Sequence, residues 1–225
     1  MTPDDESTST PAKAYPLLVR IPAQILSYVF HPLFIPTIGA WYLIFVQPGY
    51  FTGLAPHDKN FTLLRVAINT ILFPGATVLL LKALGFSKSI FLKTQRERIG
   101  PYVASNIFYF WIYLVLRSQH QIPLVLTGFI FGIFLASSIG LIVNSFFKIS
   151  MHGLGMGTLS GLMLWIIFTG PAYSIFPAAM AVFVLSGLVS TSRLIVGDHE
   201  PFDIYYGLFF GIICQFIAMG FVSLV

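Results

Sequence analysis

Near the carboxyl end of the chain, three side chains have the types and the spacing that phosphoryl chemistry uses. Arg193 is followed after five residues by His199, and Asp203 stands four positions after that histidine. A histidine and an aspartate at positions i and i+4 share one helix face, so the carboxylate can hold one ring nitrogen and leave the other bare. Such an imidazole is a nucleophile, and the planar guanidinium of arginine suits phosphate oxygens. We therefore predict a site that attacks a phosphate group.

Together with the preceding Ser192, these residues form the pattern SRxxxxxHxxxD. This pattern resembles the signature of the type 2 phosphatidic acid phosphatase superfamily of lipid phosphate phosphatases, and the chain looks like a divergent bacterial-type member. The resemblance implies that His199 is the nucleophile, that Asp203 orients it and that Arg193 binds phosphate. It also implies a mechanism without a metal ion or other cofactor.

The middle signature of that family is a serine, one small residue and a histidine, which Ser150, Met151 and His152 resemble with methionine in place of the usual glycine. By resemblance, His152 is the general acid that protonates the leaving oxygen, and Ser150 contacts phosphate. Gly153 and Gly155 allow close backbone approach, so amide N–H groups at the start of the next helix can also hold phosphate. Taken alone, His152 is more typical of an ordinary histidine at a membrane interface, and it is the presence of the last signature that favours the functional interpretation.

The first family signature, a lysine, six residues, an arginine and a proline, is only partly present. Lys93 and Pro101 stand in register, but Gly100 occupies the arginine position. Arg98 and Arg96 lie two and four residues earlier, and either can place a guanidinium in the pocket if the loop winds differently. We expect Lys93 and Arg98 to bind phosphate. The alternative is that this charged segment is a solvated cluster that contacts lipid headgroups.

Composition indicates that the protein is folded in lipid. Of its 225 residues, 56% are hydrophobic and only 9% are charged, against roughly 25% charged in ordinary soluble domains. The net charge of +4 comes without a long basic run, which argues against nucleic acid as a partner. Cys214 is the only cysteine, so no internal disulfide can form.

Apolar runs recur along the chain and lack the alternation of barrel strands, so we predict an all-α, polytopic transmembrane bundle of six or seven helices. The runs cover residues 21–46, 61–84, 102–116, 123–146, 154–168, 172–188 and 204–225. The third, fifth and sixth are short enough to be tilted hairpins. Residues 1–18 are expected to form a disordered polar tail, and residues 19–225 one transmembrane domain.

The polar patches that carry the three signatures follow the second, fourth and sixth runs. If each run crosses the membrane once, two crossings separate each patch from the next, and all three open on the same side. We therefore expect them to converge on one pocket. Counts of lysine and arginine slightly favour the cytoplasmic side for it, whereas many members of the family work on the outer face.

These observations predict an integral membrane phosphatase, in a bacterial inner membrane, that hydrolyses a lipid phosphomonoester or a polyprenyl diphosphate through a phosphohistidine. Gly100 favours an alternative, a catalytically inactive descendant that binds a phospholipid headgroup or has a structural role. A transporter is a third reading, but most charged residues lie at the ends of the apolar runs, not at mid-membrane. The substrate lipid and the oligomeric state stay open.

Overall fold

The computed structural model of the protein describes residues 15–85, 95–170, 175–197 and 199–224, with residues 95–98 described by their backbone only. The described residues form eight helices and no strand, which confirms the all-α prediction. The helices are α1 (Leu17–Val29), α2 (Ile35–Val46), α3 (Pro56–Ala83), α4 (Gln95–Arg117), α5 (Leu124–Asn144), α6 (Met151–Thr169), α7 (Phe176–Val196) and α8 (Pro201–Leu224).

Six of these helices, α3 to α8, are long and apolar enough to cross a membrane. The protein is therefore a multi-pass integral membrane protein. We predicted six or seven membrane helices, and the described part of the chain has six. The three short runs are continuous helices and not hairpins. Their helices extend beyond the apolar runs into the polar patches, as α7 does when it carries Arg193 in its last turn.

The expectation of one continuous helix over residues 21–46 is wrong. The chain breaks after Val29 and resumes as α2 at Ile35. Pro32 lies in this break, and the residue before a proline, here His31, is biased away from helical geometry. The 13 residues of α1 reach about 20 Å, which is less than the roughly 30 Å of the hydrocarbon core. Helix α1 already begins at Leu17, and residues 1–14 of the expected tail lie outside the described residues.

Helices α6 and α8 form the most extensive contact of the bundle, and glycines make it possible. Gly153 and Gly157 of α6 face Gly207 and Gly211 of α8 at four-residue spacing on both helices. A Cβ atom at Gly207 would lie 2.7 Å from the carbonyl oxygen of Ser150. Small residues at such spacing let two membrane helices approach until their backbones touch.

Helix α8 also packs against α5, which places it at the centre of the bundle. Gln215 is fully buried there, and its Nε2 donates a hydrogen bond of 3.4 Å to the carbonyl oxygen of Gly128. The other membrane helices pack on both sides of this centre. On one side α4 packs on α5 and α3 on α4, and on the other α7 packs on α6. Helix α1 packs on α7, next to the end of the bundle where the polar patches lie.

We expect Gly157→Ala to destabilise the protein, because its new Cβ would overlap the carbonyl oxygen of Leu208 on α8. Overpacking of this kind costs about 1–3 kcal/mol, and thermal unfolding in detergent micelles measures it. Gly187→Ala is the matched control, since nothing lies within 4 Å of a Cβ added at that helical position. Equal melting temperatures for the two variants would contradict the proposed backbone contact.

Candidate active site

One end of the bundle encloses a cavity of about 680 Å³. The turn between α1 and α2, the α5–α6 loop and the α7–α8 loop all contribute to its lining, together with the first turns of α4. The charged and imidazole side chains that line it are Arg20, His31, Lys148, His152, Arg193 and His199. The predicted convergence of the middle and last signatures on one pocket is therefore observed in the described residues.

His199 and Asp203 are paired as their spacing predicts. The Nδ1–H of His199 donates to Oδ2 of Asp203 at 3.2 Å, and the backbone N–H of Glu200 donates to the same oxygen at 3.2 Å. The carboxylate therefore fixes the tautomer of the ring, with the proton on Nδ1, so that Nε2 carries no proton when the ring is neutral. The His199 side chain is only 5% exposed, so its ring is enclosed by the protein and does not lie on the surface.

Local sequence explains why His199 sits in a tight connection. Gly197 ends α7 in the left-handed conformation, with φ of 84°, which reverses the chain with no penalty from a Cβ atom. Pro201 is the first residue of α8, where its fixed φ suits a helix start and its missing N–H removes no helical bond. Asp203 then lies in the first turn of α8, one turn beyond the histidine.

His152 occupies the first turn of α6 and is 8% exposed. Its Nε2 lies 3.0 Å from the backbone carbonyl oxygen of Ser27. A carbonyl oxygen can only accept, so Nε2 carries the proton, and Nδ1 is the nitrogen available for exchange with a ligand. The two histidines of the signatures are thus held through different ring nitrogens, His199 through Nδ1 and His152 through Nε2.

Ser27 connects α1 to both signature segments. Besides the bond from His152 to its carbonyl, its hydroxyl lies 3.0 Å from the hydroxyl of Ser192, the residue before Arg193. Both serine side chains are buried, at 5% and 2% exposure. Helix α1 is therefore attached to α6 and α7 by buried hydrogen bonds at the cavity, although sequence reasoning placed no functional residue on it.

His31 is a third histidine at the cavity. Its ring meets that of His152 edge to face, with 5.6 Å between the ring centroids. Its Nδ1 accepts a hydrogen bond of 3.4 Å from the backbone N–H of Leu33, which leaves the proton on Nε2. Burial, and then the positive charge of Arg193, lower the pKa of His31 to about 4, so the ring is neutral near pH 7.

The structure shows contacts of Ser150 and Gly153 within the helix bundle. Ser150 is fully buried and is the N-cap of α6, where its Oγ accepts a hydrogen bond of 3.2 Å from the N–H of Gly153. A Cβ atom at Gly153 would lie 2.8 Å from the carbonyl oxygen of Ile204, so this glycine serves the contact with α8. Neither residue lines the cavity. Ser150 thus caps α6 and Gly153 serves the contact with α8, and phosphate binding by these two residues stays a prediction.

The first signature is only partly visible. Lys93 lies outside the described residues, and Arg98 belongs to α4 but its side chain is not described. Pro101 lines the cavity. Gly100 faces α3, because a Cβ atom there would lie 3.0 Å from Cδ1 of Leu81. The arginine position of the family pattern therefore points toward a neighbouring helix in this chain.

Sequence reasoning missed the cavity residues on α1 and left Lys148 without a role. Arg20, Gln24 and Ser27 follow one another at helical spacing, and the stripe continues to His31 in the turn. All four line the cavity. Polar residues at intervals of four, three and four within an apolar run were the signal that was available.

Within the described ranges, no group of three or more His, Cys, Asp or Glu side chains could hold a metal ion. The lining instead offers the three permanent cations Arg20, Lys148 and Arg193. This arrangement suits an anion.

Comparisons of the chain with protein-family models, curated proteins and solved structures find no match.

Stability should depend on His31 at acid pH. Its pKa of about 4 in the folded protein is below the roughly 6.5 of an unfolded chain. The unfolded state therefore binds more protons between these values, and stability falls as the pH is lowered from 6.5 to 4. His31→Gln should remove up to roughly 1.4 kcal/mol of this loss per pH unit, as unfolding in micelles at pH 7 and 4.5 would measure. The same change at exposed His120 should leave the pH dependence intact, and a parallel effect there would refute the assignment.

Proposed function

We propose that the protein is a membrane phosphatase that hydrolyses a lipid phosphomonoester or a polyprenyl diphosphate through a phosphohistidine intermediate. One observation carries this proposal: His199, oriented by Asp203, lines the same cavity as His152 and Arg193. His199 as nucleophile, His152 as general acid and Arg193 as the residue that binds phosphate can thus act on one bound group. The short signatures that resemble type 2 phosphatidic acid phosphatases support the same reaction, and a bacterial inner membrane is the proposed location.

In the first step, Nε2 of His199 attacks phosphorus in line with the leaving oxygen. The N–P bond forms while the bond from phosphorus to the lipid oxygen breaks. The lipid oxygen takes a proton from Nδ1 of protonated His152, since the other nitrogen of that ring is engaged with Ser27. Asp203 stabilises the positive charge that develops on His199, as a carboxylate does for histidine in hydrolases.

In the second step, water attacks the phosphohistidine. His152 takes the proton of this water, the N–P bond breaks, and inorganic phosphate leaves with His199 restored. Arg193 balances the charge on the non-bridging oxygens throughout, because a guanidinium aimed at developing negative charge is most effective where water is scarce. Both histidines return to their starting protonation states, so the cycle is complete.

Gly100 favours a second candidate function, an inactive descendant that binds a phospholipid headgroup without hydrolysing it. Such a protein would keep the cations of the cavity but lose turnover. The two candidates differ in one respect that can be measured, the release of phosphate. They agree that an anionic headgroup enters the cavity.

Purified protein in detergent micelles should release inorganic phosphate from a short-chain phosphatidic acid or from farnesyl diphosphate. His199→Ala should abolish release, and His152→Ala should reduce it by roughly 10²–10⁴-fold, the usual contribution of a general acid. His120→Ala is the matched control, because this histidine is exposed and does not line the cavity. An inactive wild-type protein that still binds the lipid would favour the headgroup-binding descendant.

The intermediate can be trapped directly. Rapid quench of the wild-type protein with a substrate labelled in its phosphate should yield a phosphoprotein that is stable to base and labile to acid, as a phosphohistidine is. His199→Ala should give no label, and Asp203→Asn should give slower labelling because the ring loses its orienting charge. Labelling of the His199→Ala variant would exclude this histidine as the nucleophile.

A further inference from the structure

Three separate elements bring permanent positive charge to the cavity. Arg20 comes from α1, Lys148 from the α5–α6 loop and Arg193 from the last turn of α7. No aspartate or glutamate is among the described residues that line the cavity. Burial, and then the charge of Arg193, lower the pKa of His31, which lines the same cavity. Lys148 and Arg193 also interact with other groups of the protein, and the described lining carries positive charge on three of its sides.

The family arginine at position 100 cannot supply part of this charge. The position holds glycine, and a Cβ atom there would meet Leu81 of α3. Two of the three cations on the cavity, Arg20 and Lys148, lie in no family signature. Both lie at the cavity and are candidates to supply the charge that a guanidinium at position 100 would bring.

Helix α1 is built to present Arg20 in this way. Its polar stripe of Arg20, Gln24 and Ser27 lines the cavity, and the hydrogen bonds of Ser27 to α6 and α7 fix the rotation of the helix. The opposite side carries large apolar side chains that are exposed, among them Leu18 and Ile25. A helix with one charged face and one apolar face is typical of a membrane interface, where headgroups lie.

We propose that Arg20 and Lys148 bind the phosphate of an anionic lipid headgroup in this cavity and take the place of the arginine that the family pattern has at position 100. Arg20 is exposed and Lys148 is half-buried. The arginine therefore contacts the headgroup at the rim, with the planar fork that pairs with two phosphate oxygens. The lysine, as a compact charge, acts deeper in the cavity. The inference rests on the proposed function only for the statement that the bound phosphate is the one that reacts.

Binding can be measured without hydrolysis by using a short-chain lipid phosphonate, in which a carbon–phosphorus bond replaces the scissile ester. Titration of the full chain in detergent micelles should show that Arg20→Gln and Lys148→Gln each weaken binding by roughly tenfold, which is about 1.4 kcal/mol. Binding should also weaken as salt is added, because exposed charges are screened. Lys148→Arg keeps the charge and should bind nearly as the wild type does.

Two controls remove a cation elsewhere. Lys82→Gln on α3 removes an exposed lysine, and Arg65→Gln removes an exposed arginine whose Nη1 donates to Oε1 of Gln119. Neither residue lines the cavity, so both variants should bind the phosphonate normally. Melting temperatures of all variants separate lost binding from lost folding, and Lys148→Arg tests the site even if Lys148→Gln unfolds.

Two further titrations identify the source of the phosphate. Inorganic phosphate tests whether a free anion suffices, and the corresponding lipid alcohol tests whether the tails suffice. The lipid phosphonate should bind more tightly than either. Equal affinity for inorganic phosphate would overturn the assignment to a lipid headgroup.

The outcomes separate this inference from the proposed function. If the wild-type protein hydrolyses lipid phosphates but Arg20→Gln and Lys148→Gln bind the phosphonate normally, the two cations have no such role and the phosphatase stands. If both substitutions weaken binding but no phosphate is released, the headgroup site stands and the phosphatase is wrong. A wild-type protein that does not bind the phosphonate would overturn the inference outright.

Discussion

The glycine-lined contact between α6 and α8 sets the relative position of His152 and His199 at the cavity. Because the two backbones touch, the N–H of Ser150 reaches the carbonyl oxygen of Asp203 at 3.1 Å, and the middle and last signature segments are joined directly. His152 follows Ser150 by two residues, and His199 precedes Asp203 by four. Any larger side chain in the contact would separate the two imidazoles by moving the helices that carry them.

Electrostatics and hydrogen bonding then divide the work at the cavity. Each catalytic candidate has one ring nitrogen committed to a fixed acceptor, Asp203 for His199 and the Ser27 carbonyl for His152. The cations lie around these rings, and Arg193 together with burial keeps His31 neutral. An imidazole can give up and take back a proton during a reaction, while permanent cations attract an anion and stay charged; the cavity contains both kinds of side chain.

Much of this arrangement could be predicted from the sequence because it follows from periodicity. The i, i+4 pairing of His199 with Asp203 and the alternation of polar patches with crossings both depend only on helix geometry and membrane thickness. The cap that Ser150 forms and the helix contact at Gly153 could not be predicted, because they depend on how closely the neighbouring helix approaches. His31 was missed for a different reason: the proline after it splits a run that hydropathy alone reads as one crossing.

Helix α1 separates two environments by the width of a single helix, about 10 Å. Its polar stripe borders the cavity, and its apolar side chains face outward where no other part of the described protein covers them. An amphiphile whose head enters the cavity can therefore leave its tails in the bilayer on the far side of that thin partition. Extraction into water, the slow step for insoluble molecules, is unnecessary in such an arrangement.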